Sequence, residues 1–281
     1  MIDQRTINRL VTAALEEDAP WGDITSESIV PNNAVVRAQL VAREPGVFSG
    51  VALLEAAFHL VDPKTRMELH ISDGEVFESR AVLGTITGTA RAILRAERIA
   101  LNFTQRMSGI ATLTSRYVDE VRGTKARIVD TRKTTPGLRI IERQAVRDGG
   151  GHNHRFSLSD AVMVKDNHLA AVINQGMNIT EALTQMKTQL PHTTHVEVEV
   201  DRIDQIEPVL AAGVGTIMLD NFTNDELRKG VGLIQGRAIV EASGGVNLDT
   251  VAGIAATGVD VISVGALTHS ARALDLGLDF E

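Results

Sequence analysis

Residues 5–17 place Ile7, Leu10, Val11, Ala14 and Leu15 on one side of a helical wheel, which predicts an amphipathic helix. From about residue 34 to 88 the periodicity shortens, with β-like runs at Val35–Arg43, Arg66–Ser72 and Glu75–Leu83 separated by Pro45-Gly46 and Asp73-Gly74. An Asp-Gly pair between two such runs predicts a hairpin. A helical stretch, Val51–Leu60, lies among them, so this half reads as α+β. Residues 89–122 follow as a long helical segment with an interruption expected near Ser108-Gly109. Beyond residue 126 strand and helix alternate, with strands expected at 126–130, 161–165, 195–200, 215–220, 237–242 and 260–264. Alternation of this kind implies a parallel sheet with right-handed crossovers. The strands are fewer than a full α/β barrel needs, and a doubly wound sheet fits the count equally well. Most of them end in ionisable or Gly/Ser residues, as the functional rim of a barrel should, and this favours barrel-like closure.

Composition narrows the class. The chain has 281 residues, 43% of them apolar, which suits a globular protein with a large core. No apolar run approaches the ~18 residues that a membrane helix requires. The N-terminus reads as a helix and not as a signal peptide, so a cytoplasmic protein is expected. With no cysteine, disulfides, zinc–thiolate sites and thiol nucleophiles are excluded. A net charge of −8 and 3% aromatic residues argue against nucleic acid as a partner.

Charge is not evenly spread. Residues 122–165 hold ten Lys/Arg against four Asp/Glu, a local excess of +6 in an acidic chain. Charge runs are commonly solvated faces. Here Arg132, Lys133 and Lys165 sit at predicted strand ends, and Gly149–Gly151 precede His152, Asn153, His154 and Arg155. Glycines leave backbone N–H groups accessible to an anion, so the segment reads as an anion site. In His195–Asp201 the valines alternate with His195, Glu197, Glu199 and Asp201, which therefore share a face. Such a face is either a wet edge or paired with cations or metal. Asp220 ends the next strand, and carboxylates at the rim of a basic pocket suit Mg²⁺ or a developing positive charge on a sugar ring. Ser243-Gly244-Gly245 and Val264-Gly265-Ala266, with His269 shortly after, follow the last two strands, where α/β barrels place phosphates. The sum is anion chemistry on a phosphorylated ligand, with the reaction left open.

Longer strings go further. Arg98–Asn102, Gln105–Thr112, Asp130–Arg139, Gly149–Arg155, Lys165–His168, Glu197–Val200, Met218–Asn221, Glu241–Gly245 and Gly265–Ser270 resemble, in order, those of the quinolinate phosphoribosyltransferase family. The resemblance extends to Glu17-Asp18 and Gly22–Thr25, and Met107, where the family often has leucine, conserves volume. It implies an N-terminal α/β sandwich (1–108, joined by 270–281) and a C-terminal open α/β barrel (109–269). The implied reaction turns quinolinate and phosphoribosyl pyrophosphate into nicotinate mononucleotide, pyrophosphate and CO₂, with Mg²⁺, in de novo NAD synthesis. It implies a homodimer or larger assembly in which Arg98 reaches a partner's site. Arg98, Arg132, His154, Arg155 and Lys165 would meet the dicarboxylate, and Thr131 would also bind substrate. Lys133 and Lys165 would reach phosphates, and Glu199 and Asp220 would serve the sugar and the metal. Ser243–Gly245, Val264–Ala266 and His269 would hold the 5′-phosphate. The residues alone leave two rivals: a Schiff-base aldolase or isomerase built on Lys165, and a non-catalytic sensor of phosphorylated ligands.

Overall fold

The computed structural model describes residues 2–174 and 176–281. In chain order the elements are α1 (Gln4–Asp18), α2 (Ile24–Ile29), β1 (Val35–Ala42), β2 (Gly46–Val47), α3 (Val51–Val61), β3 (Arg66–Leu69), β4 (Val76–Phe77) and β5 (Val82–Thr89). Then come α4 (Ala90–Glu120), β6 (Arg127–Val129), α5 (Arg139–Asp148), β7 (Val162–Val164), α6 (Asp166–Ile173), α7 (Ile179–Thr188) and β8 (Val196–Val200). The chain ends with α8 (Ile206–Ala211), β9 (Thr216–Asp220), α9 (Asn224–Ile234), β10 (Ile239–Ser243), α10 (Leu248–Ala255), β11 (Val261–Ser263), α11 (Ala266–His269) and β12 (Leu276–Phe280). Two compact units result: one of residues up to 115 with 134–150 and 270–281, the other of 116–133 with 151–269.

The first unit is built on an antiparallel sheet in the order β12-β1-β5-β3. On α1, Ile7, Val11 and Leu15 are buried while Leu10 and Ala14 are half-buried, so the predicted stripe is the packed face. Asp3 caps this helix by accepting the Thr6 N–H at 3.1 Å. Two local expectations fail here. Gly74 does turn, with φ of +87°, but the runs around it enter different sheets: β3 pairs with β5, and β4 with β2. The Asp73 carboxylate is instead used to accept the N–H groups of Gly50 and Val51, at 2.7 and 3.0 Å, at the start of α3. The break expected at Ser108-Gly109 is absent, because both residues serve packing. Ser108 Oγ accepts the Ser49 N–H at 3.1 Å, and a Cβ on Gly109 would lie 1.9 Å from the Arg272 carbonyl.

The second unit is an all-parallel sheet in the order β6-β11-β10-β9-β8-β7. Its last strand returns to pair with its first, so the sheet closes everywhere except between β6 and β7. That is the order of a barrel with one opening, and the doubly wound alternative is rejected. His152 leans on the free edge of β6, donating to the Ile128 carbonyl at 2.8 Å and accepting from Asp130 N at 3.1 Å. The opening therefore positions the segment that carries His154 and Arg155. Buried Val198, Val200, Ile217, Leu219, Val240, Ala242 and Ile262 form the apolar part of the strands. Among the described residues no helix is long and apolar enough to cross a membrane.

Candidate active site

All six parallel strands present their C-terminal ends to one cavity of about 420 Å³. Thr131, Arg132 and Lys133 reach it from the end of β6, His154 and Arg155 from the loop at the opening, and Lys165 from β7. Glu199, Asp220, Ser243 and Ser263 complete the polar wall from the other four strands, and Met163 and Met218 supply an apolar part. Because β8 lies between β7 and β9, it is an interior strand and not a wet edge. Its valines are buried as well as Glu197, and Glu199 is partly so. His195 precedes the strand, at the end away from the cavity, and bonds Thr216 Oγ1 at 2.8 Å, while Asp201 is exposed beside Arg202.

Around the cavity mouth, Lys165 Nζ donates to Glu199 Oε2 at 2.8 Å. Burial and the Glu199 charge raise the Asp220 carboxyl above its ordinary value, opposed by Lys165, Lys133 and the Ser243 hydroxyl. Asn221 takes φ of +58° and donates its side-chain N–H to Asp220 Oδ2 at 2.6 Å. The backbone at Gly244, at φ of +91°, passes so near Asn221 that a Cβ would fall 2.2 Å from its Oδ1. Only glycine fits there. Across the sheet, Thr268 Oγ1 donates to the Lys133 carbonyl at 2.7 Å and so ties the cationic loop to α11.

Deeper in the barrel, β6, β8 and β10 contribute buried acids that the candidate residues did not include. Asp130 accepts the His154 N–H at 2.7 Å and the Asn153 amide at 2.6 Å. Glu197 and Glu241, only 5% and 3% exposed, face His154 Nε2 at 3.0 and 3.5 Å. Burial opposes charge on the imidazole, but the two acids outweigh it and push the ring up to about 10. Glu197 is itself raised, by burial first and by Glu241, against the pull of His154. These tendencies conflict with the backbone: Arg155 donates its N–H to His154 Nδ1 at 2.7 Å. That contact demands a lone pair on Nδ1, and a backbone N–H cannot turn away. The ring therefore rests with one proton, on Nε2 and aimed at the acids. Both ring nitrogens are engaged within the protein.

Of the residues read from sequence, Thr131, Arg132, Lys133, His154, Arg155, Lys165, Glu199, Asp220 and Ser243 line this cavity. Gly244, Gly245, Val264, Gly265, Ala266 and His269 do not line it, although they follow the strands that do. A Cβ on Gly265 would come within 3.1 Å of His269 Nε2 and 3.2 Å of Lys133 Cδ, so these loops approach Lys133 closely. Arg98 is exposed on α4 in the first unit and is no part of the cavity wall. For Glu197, the alternating pattern of β8 was the available signal. For Glu241 the signal was its place at the head of the family-like string Glu241–Gly245, which gave it no role of its own.

This arrangement offers four cations to a compact polyanion, with two carboxylates facing them. Comparison with known families agrees with that chemistry. The model of the quinolinate phosphoribosyl transferase C-terminal domain matches residues 110–279, and that of the N-terminal domain matches residues 23–108. The chain belongs to the quinolinate phosphoribosyltransferase family. Among its relatives, the nicotinate-nucleotide pyrophosphorylase [carboxylating] of Mycobacterium leprae is 44% identical, over 96% of this chain and 95% of that protein. The probable nicotinate-nucleotide pyrophosphorylase [carboxylating] of Bacillus subtilis is 40% identical, over 97% and 93%. The solved structure of the nicotinate-nucleotide pyrophosphorylase from Francisella tularensis superposes with a TM-score of 0.94 at 34% identity, covering 100% of this chain and 98% of that one. Family membership accounts for the order of the motifs along the chain, and for both halves of the architecture.

Proposed function

We propose that the chain transfers the phosphoribosyl group of phosphoribosyl pyrophosphate to the ring nitrogen of quinolinate. Nicotinate mononucleotide, pyrophosphate and CO₂ are the products. The observation that carries the reading is the meeting of Arg132, Lys133, Arg155 and Lys165, from three separate chain segments, around one cavity with Glu199 and Asp220. Quinolinate is a dianion, and Arg132 and Arg155 suit its carboxylates through bidentate pairing, with Thr131 and Lys165 beside them. Lys133 and Lys165 serve the pyrophosphate, and Ser243–Gly245, Val264–Ala266 and His269 the 5′-phosphate, chiefly through backbone N–H groups.

Departure of pyrophosphate leaves positive charge on the sugar carbon. Glu199 and Asp220 stabilise that charge electrostatically, with no covalent intermediate. The ring nitrogen then attacks in line, a step that requires positioning more than chemistry. Once the nitrogen is quaternary the ring withdraws electrons, the carboxylate next to it departs as CO₂, and the electron pair left on that ring carbon takes up a proton from water. The paired carboxylates fit a divalent cation: both are oxygen donors, and the charge of Glu199 already raises Asp220. Mg²⁺ held by Glu199 and Asp220, partly through the substrate, would neutralise phosphate charge. The same reading makes the protein a cytoplasmic enzyme of at least two subunits, with Arg98 from one protomer completing the site of its partner. Incubating the protein with quinolinate, phosphoribosyl pyrophosphate and Mg²⁺ tests it: nicotinate mononucleotide should appear by chromatography. Its absence, with both substrates recovered unchanged, would refute the assignment.

A further inference from the structure

We propose that Glu241, which does not line the cavity, is a positioning residue of the dicarboxylate subsite: with Glu197 it holds the His154 ring, and through that ring the backbone that presents Arg155. The proposal rests on the reading of the site above and adds two residues to it.

The geometry makes His154 a strut. At one end Nε2 meets Glu197 Oε2 at 3.0 Å and Glu241 Oε1 at 3.5 Å. At the other end Nδ1 accepts the Arg155 N–H at 2.7 Å. Asp130 takes the His154 N–H, and Arg155 Nη1 donates to the Ala161 carbonyl at 3.0 Å. Acids inside the barrel thus set the backbone at Arg155, and its side chain is tethered separately.

Stability alone does not account for the two glutamates. Each has one buried carboxylate oxygen that makes no hydrogen bond: Oε1 of Glu197, and Oε1 of Glu241, whose 3.5 Å approach to His154 Nε2 is an electrostatic contact only. A buried acid of this kind carries a desolvation cost, and a well-packed neutral residue commonly serves a fold as well or better. The charge has a use beside the cavity. Burial and the neighbouring Arg132 make the Arg155 guanidinium less basic, while Glu197 and Asp160 oppose them. The negative charge of Glu197, with that of Asp160, thus offsets the repulsion between the two arginines before the dianion arrives.

His154, Glu197 and Glu241 could also be taken for a metal site, since their ligand atoms lie within 4.8 Å of one another. The tautomer argues against it. A metal on Nε2 requires the ring proton on Nδ1, but Nδ1 is the acceptor of the Arg155 N–H.

The test uses the full-length protein and its Glu241→Gln variant, which keeps the volume of the side chain. Two readouts are taken: steady-state constants for each substrate, and ring ¹⁵N NMR of His154, assigned with a His154→Gln control. In wild type the ring should show the Nε2–H tautomer. In E241Q the Nε2–H tautomer should persist, since Glu197 and the Arg155 N–H still impose it, but with a shifted Nε2 resonance, and KM for quinolinate should rise roughly tenfold, with KM for phosphoribosyl pyrophosphate within about twofold of wild type. Equal rises in both constants would mark a general structural defect, and no rise would free Glu241 from the role; either result overturns the proposal. So does a wild-type ring protonated on Nδ1, or one shifted by stoichiometric bound metal, and this arm holds even where E241Q does not fold. If wild type makes no nicotinate mononucleotide, the functional reading fails instead, while the ring spectrum still reports on the cluster.

Discussion

Asp220 stands at the end of β9 with the Glu199 charge on one side and those of Lys165 and Lys133 on the other. Its role at the sugar carbon predicts that Asp220→Asn lowers kcat roughly a hundredfold with little change in substrate affinity. Single-turnover rates check this, and an unchanged rate would remove Asp220 from catalysis. Arg132→Ala should act in the opposite sense, weakening quinolinate about a hundredfold, or ~2.7 kcal/mol, and phosphoribosyl pyrophosphate far less. Calorimetry with each ligand separates the two. Arg132, Lys165, Glu199 and Asp220 were legible in the sequence because each ends a strand that the apolar pattern marks by itself. The pairing of Glu197 and Glu241 with His154 was not. It depends on β8 and β10 facing one interior across the curve of the sheet, and local periodicity carries no information about that curvature.

At the scale of elements, the six parallel strands could be read from apolar runs because each is covered on both sides and bounded by polar ends. Pairing partners were harder. Asp73-Gly74 has the composition of a hairpin turn, yet the chain leaves it for another sheet, since Asp73 is committed to the start of α3. Gly109 looked like a helix breaker and is a packing contact inside an unbroken α4. Gly109→Ala should therefore destabilise the first unit by ~3 kcal/mol, despite the better helix propensity of alanine, because the clash is with backbone. Denaturant unfolding measures it; a stabilised variant would contradict the packing account. At the end of α5, burial raises the Asp148 carboxyl above 3.8, against hydrogen bonds from Ser49 and Gln144. A carboxyl raised in the folded state favours folding most below its unfolded value, and that contribution is lost as pH climbs through the raised one. Asp148→Asn should thus raise Tm at pH 7 and lose this advantage near pH 4. A Tm difference independent of pH would show that Asp148 titrates alike in both states.

For the whole molecule, chain order conceals how the units are assembled. β12, at the very end, pairs with β1 and forms one edge of the first unit's sheet. Residues 134–150, which include α5, also belong to that unit although they lie between two barrel strands. No local pattern announces either return. Arg98, exposed on α4, predicts a property of the assembly. If it completes a partner's site, then Arg98→Ala and Glu199→Gln proteins, each inactive alone, should regain up to about a quarter of wild-type activity when mixed and re-associated. This follows from mass action in a two-fold dimer, where half the molecules are mixed and each of those has one intact site. No recovery on mixing would place Arg98 in its own protomer's site or outside catalysis.

The central claim is that one cavity binds a dicarboxylate beside a phosphoribosyl donor and couples decarboxylation to transfer. Quinolinate labelled in its 2-carboxylate, mixed with the protein, Mg²⁺ and phosphoribosyl pyrophosphate, tests this most directly. Labelled CO₂ should be released one for one with pyrophosphate, and none should appear when the phosphoribosyl donor is omitted. Pyrophosphate formed without labelled CO₂, or labelled CO₂ released without the donor, would contradict the account.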